Sequence, residues 1–225
     1  MKIGMIGGTG GQGLGIALRF VQAGEDVIIG SRTLDKAEAA VAKVKELLGD
    51  VENVRGATNP DAAKEADILV LTVPLPAQKE TLLSIREGAA GKPLLDATGV
   101  LESAIGGSPT KCIYLPEGSA AQRAQGVLPE ARVISAFNNI SHSWFMQLDE
   151  PIDCDCLICG DDKEAKAMVT PLIEKIPGLR VIDCGELERA GIIEKITPLL
   201  IGLNIRNKCS FGGIRITGLD KGRAC

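Results

Sequence analysis

Histidine is nearly absent from this chain, with His142 the only one in 225 residues. Histidine-rich metal centres and most histidine-based proton relays are thereby excluded. Charge of one sign is lacking too: 25 lysines and arginines stand against 29 aspartates and glutamates, a net charge of -4. The basic excess that nucleic-acid binding uses is missing. No apolar run approaches the roughly 20 residues of a membrane span, and no leader pattern precedes the first core-like segment. The expectation is a cytoplasmic protein without a nucleic-acid or membrane partner.

A paired-cysteine framework is also missing. The seven cysteines are an odd number at irregular spacings, unlike the sets that staple small secreted domains. Cys154, Cys156 and Cys159 lie close enough to suggest a metal site. Residues 153–160 read better as a strand that spreads the thiols over both faces, where free cysteine behaves as a small apolar side chain. No metal site is expected.

What is present begins at once. Lys2 to Ile6 read as a short buried strand, Gly8, Gly10 and Gly13 fall in Gly-x-Gly-x-x-Gly register, and Leu14 to Val21 continue as an apolar helix. This is a dinucleotide fingerprint in its proper context of strand, turn and helix. Gly8 is assigned the tight turn, Gly10 the approach to a pyrophosphate, and Gly13 the close packing of helix on strand. Thr9, Gly11 and Gln12 share the loop, whose free amides suit an anion.

The second strand, Asp26 to Gly30, ends in Ser31-Arg32-Thr33-Leu34-Asp35-Lys36. An NAD-specific protein places an acid there for the adenosine ribose. This chain offers a hydroxyl and cations instead. With Thr33 as N-cap, Lys36 falls in the first helical turn, where the dipole disfavours a positive charge unless an anion is near. The 2'-phosphate of NADP is such an anion, and Ser31, Arg32 and Lys36 are spaced to surround it. Charge-assisted hydrogen bonds run to roughly 1.5–3 kcal/mol each.

Further strands are expected at 67–72, 93–97 and 132–137, with a short one at 54–57 and a helix at 61–65 capped near Asn59. Ligands of open parallel sheets sit beyond the strand ends. Thr72, Val73 and Pro74 therefore belong beside the nicotinamide, with Gln78 on the helix that Pro74 starts. Asn138 and Asn139, followed by Ile140, place paired amides at another strand end, suited to a flat polar ligand edge or simply to a turn. The fold expected is α/β, a Rossmann-type doubly wound parallel sheet over residues 1–150. A smaller α/β lobe follows at 151–225, with strands at 156–159 and 179–183 and a helix at 162–175. A terminal helix from Gly191 to Asn207 contains Pro198, and its apolar residues suit either core or a homodimer contact. Arg206, Lys208 and Arg215 form a small basic cluster, either a solvated surface or a site for an anionic ligand tail, and Gly212 in the same stretch is assigned to the cofactor site.

Several of these segments together resemble one family. They are 1–10, Gly-Ser-Arg at 30–32 with Lys36, Leu-Thr-Val-Pro at 71–74, Ser-Ala-Phe-Asn-Asn-Ile at 135–140, Cys-Gly-Asp-Asp at 159–162 and Glu-Lys-Ile-Thr-Pro-Leu-Leu at 194–200. In order and spacing they resemble the archaeal coenzyme F420:NADP oxidoreductases, methanogen members especially. The resemblance implies reversible hydride transfer between NADPH and an 8-hydroxy-5-deazaflavin, with NADP(H) and coenzyme F420 as the small-molecule partners. It also implies that the deazaflavin lies in a cleft against the C-terminal part. Asn138 stands where some relatives have histidine and Gly191 where some have arginine, with Arg189 close enough to substitute. No side chain stands out as a proton-transfer residue for an alcohol substrate, which agrees with carbon-to-carbon hydride exchange between two cofactors. The alternatives are reduction of another flavin or a small imine, and a non-catalytic NADP sensor.

Overall fold

A computed structural model of the chain describes residues 1–219. Strand β1 (Lys2–Ile6) is followed by α1 (Gly11–Gln22), β2 (Asp26–Ser31), α2 (Leu34–Leu48), β3 (Val54–Thr58), α3 (Asn59–Glu65), β4 (Ile68–Leu71), α4 (Leu75–Ser84), the short α5 (Arg86–Ala89) and β5 (Pro93–Asp96). Beyond a 3-10 turn at Glu102–Ile105 come α6 (Ala120–Val127), β6 (Arg132–Ser135), the short α7 (His142–Phe145), β7 (Asp155–Ile158), α8 (Lys163–Ile173) and β8 (Arg180–Asp183). A second 3-10 turn, Leu187–Arg189, leads into the short α9 (Ala190–Ile193) and then α10 (Ile196–Asn207).

The first six strands pair in the order β3-β2-β1-β4-β5-β6, all parallel, as expected of a Rossmann-type sheet. The order reverses between β1 and β4, so a crevice opens at their carboxyl ends. Strands β4 and β5 are buried at every residue, because helices cover both faces. β7 and β8 form a separate parallel pair, joined to β6 by an antiparallel bridge between Ser135 and Cys159. The core on one face runs without interruption from Ile3, Met5 and Phe20 to Ile152, Cys156 and Val169. Cys154 and Cys156 lie in that core and Cys159 in the core of the opposite face. Burial pushes all three thiols up to about 12, which keeps them protonated and inert.

Two local expectations are corrected. Helix α3 is capped by Thr58, whose Oγ1 accepts from Asp61 N at 3.3 Å, while Asn59 sits inside the first turn and turns toward the sheet. The terminal helix is broken rather than continuous. Pro198 has no N–H to give the Glu194 carbonyl and its ring crowds that oxygen, so α9 ends at Ile193 and α10 begins at Ile196. Pro198 and Leu200 of α10 are buried, whereas Leu199 and Leu203 are 58% and 44% exposed.

Arg215 is not part of a free basic cluster. Asp155 is buried, and Arg180 reaches both its oxygens at 2.8 Å, Arg215 Nη1 donates at 2.9 Å and Ile216 N at 2.7 Å. Arg215 also donates to Asp153 at 2.8 Å. A carboxylate out of water draws in every cation it can reach, and here the partners tie the 211–217 stretch to β7. Burial alone would raise Asp155, but hydrogen bonds from Arg180, the Ile216 amide and Arg215 outweigh it and hold the carboxyl below its usual range.

A depressed carboxyl contributes stability above its unfolded value of about 3.9 and loses it as pH falls through the lower folded value. Asp155→Asn is therefore expected to cost roughly 2–4 kcal/mol near neutral pH. The gap from wild type should close on acidification, as read by urea unfolding at several pH values.

Candidate functional site

In the β1–α1 turn Gly7, Gly8 and Gly13 leave no room for a side chain. Gly7, not Gly8, adopts the left-handed backbone, with φ 72°, and a Cβ there would stand 2.3 Å from Val73 Cγ1. A Cβ on Gly8 would meet Met5 Cβ at 2.7 Å, so Gly8 serves packing instead. A Cβ on Gly13 would lie 2.4 Å from Thr72 Oγ1 and 2.8 Å from Gly8 Cα, the close helix approach that the fingerprint implies. Gly10, the N-cap of α1, has nothing within 4 Å of a built Cβ. Beside it Thr9 and Gly11 are exposed, and the first helical amides have no intrahelical acceptors. This open, donor-lined shelf fits a pyrophosphate.

Side chains from distant parts of the chain hold the turn. Asn59 Oδ1 accepts from Gly7 N at 3.0 Å, and Thr72 Oγ1 lies 3.3 Å from the carbonyls of both Ile6 and Gly7. Asn59 escaped sequence reasoning, since asparagine beside Pro60 signals a helix start and nothing local says that it reaches β1. Val73 packs on Gly7, and Pro74 is the exposed N-cap of α4. Thr72, Val73 and Pro74 thus stand together at the β4 end.

At the neighbouring strand end, Ser31 is buried as the last residue of β2. Arg32 and Lys36 are exposed, and neither makes an ion pair or hydrogen bond among the described residues. Thr33 is the N-cap of α2 but makes no side-chain cap bond. Two exposed cations thus bracket a helix start that lacks a side-chain cap bond, an arrangement that suits a phosphoryl group.

On the other side of the glycine turn an open cleft of about 250 Å³ runs between the strand ends and α10. Gln12, Asn138, Asn139, Ile140 and His142 line one side, and Thr197, Leu200, Ile201 and Asn204 the other, with Gly212 at the edge. Gln12 Nε2 donates to the carbonyls of Phe137 and Ile140 at 3.3 and 3.4 Å, linking the glycine turn to the cleft floor. Phe137 has φ 65° and is fully buried, with Phe20 and Phe145 edge-on at 6.3 and 5.9 Å. That packing holds a left-handed non-glycine residue, which costs about 1–3 kcal/mol.

The asparagine pair is committed to the protein rather than presented to a ligand. Asn138 accepts from Ser135 Oγ at 3.0 Å and donates to the Thr98 carbonyl at 3.1 Å, while Asn139 bridges the Asp155 carbonyl and Leu157 N at 2.7 and 3.2 Å. Buried amides at a strand end must find partners, and the 155–157 backbone and the 98 carbonyl supply them. Gln78 is likewise corrected as a nucleotide contact. It is fully buried, donates to Asp96 Oδ2 at 2.7 Å and the Ala120 carbonyl at 3.1 Å, and accepts from Arg123 Nε at 2.7 Å. Arg189 lies outside the cleft, 3.9 Å from Glu188, and a Cβ on Gly191 would stand 2.9 Å from the Gly118 carbonyl.

A family model described as NADP oxidoreductase, coenzyme F420-dependent, matches residues 2–99. The chain is 58% identical over 224 residues to the F420-dependent NADP reductase of Methanothermobacter thermautotrophicus, a match covering 98% of this chain and 97% of that one. This chain belongs to the F420-dependent NADP reductase family. To the Methanocaldococcus jannaschii member it is 47% identical over 223 residues, covering 98% and 100% of the two chains. Among solved structures, a putative F420-dependent NADP reductase from Arthrobacter sp. FB24 superposes with TM-score 0.81 at 24% identity, over 96% and 97% of the chains. An imine reductase from Streptomyces aurantiacus shares the fold at TM-score 0.62 and 17% identity, over 92% of this chain but 62% of that one.

Charge in this family member is kept off the cleft wall. Among the described lining residues there is no carboxylate, lysine or arginine. Two acids lie behind it: Asp96, raised by burial against donors on Thr98 and Gln78, and Glu194, which burial pushes up to about 8. Among the described lining residues His142 is the one titratable side chain.

The glycines separate packing from binding. Gly13→Ala is expected to destabilise the protein by about 1–3 kcal/mol, because its methyl has no room against Thr72 and Gly8. Gly10→Ala should cost no more than about 1 kcal/mol yet weaken dinucleotide binding at least tenfold. Thermal melts and nucleotide titration of the two variants check this; equal binding losses per unit of stability would reject the division.

Proposed function

We propose that this chain catalyses reversible hydride transfer between NADPH and the deazaflavin coenzyme F420, without a covalent intermediate. The observation that carries the reading is the sequence of subsites along one sheet edge. An unpartnered Arg32–Lys36 pair stands at the β2 end, an open glycine shelf at the β1 end, and a charge-free cleft opens beyond it.

In this reading Ser31, Arg32 and Lys36 hold the 2'-phosphate, and the amides from Gly8 to Gln12 take the pyrophosphate. Thr72, Val73 and Pro74 flank the nicotinamide. Ile140 and Gly212 bound the acceptor ring, with the backbone of Asn138 and Asn139 forming the floor. When both cofactors are bound, NADPH supplies the hydride and the deazaflavin accepts it, carbon to carbon. The protein's contribution is orientation and exclusion of water, since intramolecular alignment alone is worth several orders of magnitude in rate. We assign residues 1–150 to the nucleotide and the α10 wall of 151–225 to the acceptor.

The exposed Leu199 and Leu203 support a homodimer formed through α10. None of the described helices is long and apolar enough to cross a membrane, and we place the enzyme in the cytoplasm.

Mixing NADPH and oxidised F420 with the protein should bleach the deazaflavin absorbance; no turnover would reject the function. Arg32→Ala combined with Lys36→Ala should weaken NADPH binding on the order of a hundredfold, the worth of two charge-assisted hydrogen bonds near solvent, and leave NADH within about threefold. Equal losses for the two nucleotides would remove the phosphate assignment.

A further inference from the structure

Glu194 sits where the terminal helix breaks, between α9 and α10. Its side chain is buried, and its oxygens accept the first two amides of α6, Ala120 N at 2.9 Å and Ala121 N at 3.1 Å. Those are helix-start donors with no partner inside their own helix. Glu194 therefore caps α6 from an element 74 residues further along the chain.

Each end of this contact belongs to a different wall of the cleft. Helix α10 lines it with Thr197 and Leu200. The start of α6 reaches the Ala97, Gly99 and Leu101 wall through Gln78, which donates to both the Ala120 carbonyl and Asp96, and Asp96 in turn accepts from Thr98 N at 2.8 Å. Thr197 Oγ1 adds a bond to the Asn138 carbonyl at 2.8 Å, so the first turn of α10 is moored on both sides. Neither Glu194 nor the two amides lines the cleft itself.

The charged and titratable surroundings come from several elements. Asp96 of β5 and Arg123 of α6 face Glu194, the thiols of Cys112 and Cys159 feel its charge, and Lys195 is its neighbour on the chain. Burial pushes its carboxyl up to about 8, against the pull of the two amides. Because this value is raised, its contribution to global stability is complete below about pH 4 and is lost as pH rises through the folded value. The ionised form is the costlier one to bury, and it grips the two amides more firmly, since hydrogen bonds to a carboxylate are about twice as strong as neutral ones.

We propose that Glu194 is a positioning residue for the acceptor: by clamping α6 to α10 it sets the width of the cleft, and it does so more tightly when ionised. This rests on the reading of the cleft as the deazaflavin site. Glu194 touches neither cofactor, so its effect falls on the acceptor alone.

The experiment compares wild type with Glu194→Gln, measuring KM for oxidised F420 and for NADPH between about pH 6.5 and about pH 9.5. The ratio of variant to wild-type KM for F420 should rise about threefold to tenfold across that range, while the NADPH ratio stays within about twofold. Titration of the deazaflavin itself is common to both proteins and cancels in the ratio. A pH-independent ratio, or a parallel rise for both cofactors, would overturn the clamp. Hydrogen exchange in the wild type is the second readout. Protection of the Ala120 and Ala121 amides, relative to the rest of α6, should increase above about pH 8. Unchanged relative protection would equally overturn it, even if the variant does not fold. Absence of any turnover with F420 in wild type would instead reject the functional reading, leaving amide exchange to judge the clamp.

Discussion

Almost everything that faces a ligand here depends on how closely the β1–α1 turn approaches the end of β4. A side chain on Gly7 or Gly13 would overlap Val73 or Thr72 by more than any packed core tolerates. Because the glycines vanish at those points, the start of α1 comes down onto the sheet edge and its free amides stand over the crevice. Val73 and Thr72 are the other half of this contact and cannot be seen apart from it. Gly10 differs in kind, since the space beyond it is open.

A second constraint is the satisfaction of buried polar groups at the strand ends. Asn59, Gln78, Asn138 and Asn139 each carry an amide into the interior, and each spends it on backbone or a neighbouring side chain. Arg19 does the same with charge: fully inside the fold, its guanidinium donates to the carbonyls of Trp144, Phe145, Gln147, Leu148 and Glu150. These bonds fix the segment after β6, which forms the cleft floor. Polar residues near a site thus divide by burial. Those enclosed build its shape, and those in water, Arg32 and Lys36, remain available to an anion.

The terminal segment follows the same division. Asp155 collects Arg180 and Arg215, so the basic side chain that sequence spacing grouped with Arg206 and Lys208 closes the lobe instead. Glu194 caps a helix it is far from in sequence, and Pro198 places the break that lets it do so. The exposed apolar residues on α10 are left on the outer side of that helix, away from Leu200 and the cleft.

Sequence by itself determined the Rossmann-type sheet, its strands in chain order, the place of the glycine-rich turn and the cationic end of β2. Each of these rests on local signals: apolar runs, glycine spacing, and the absence of an acid where one is usual. It also determined the family, because motifs along the whole chain must agree in order and spacing. Tertiary structure alone decided that Gly7 rather than Gly8 takes the left-handed turn, that Asn59 supports it, and that Gln78 and the asparagine pair face inward. Those outcomes depend on which buried group lies within three ångströms of which other, and residues that far apart in the chain leave no local pattern to read.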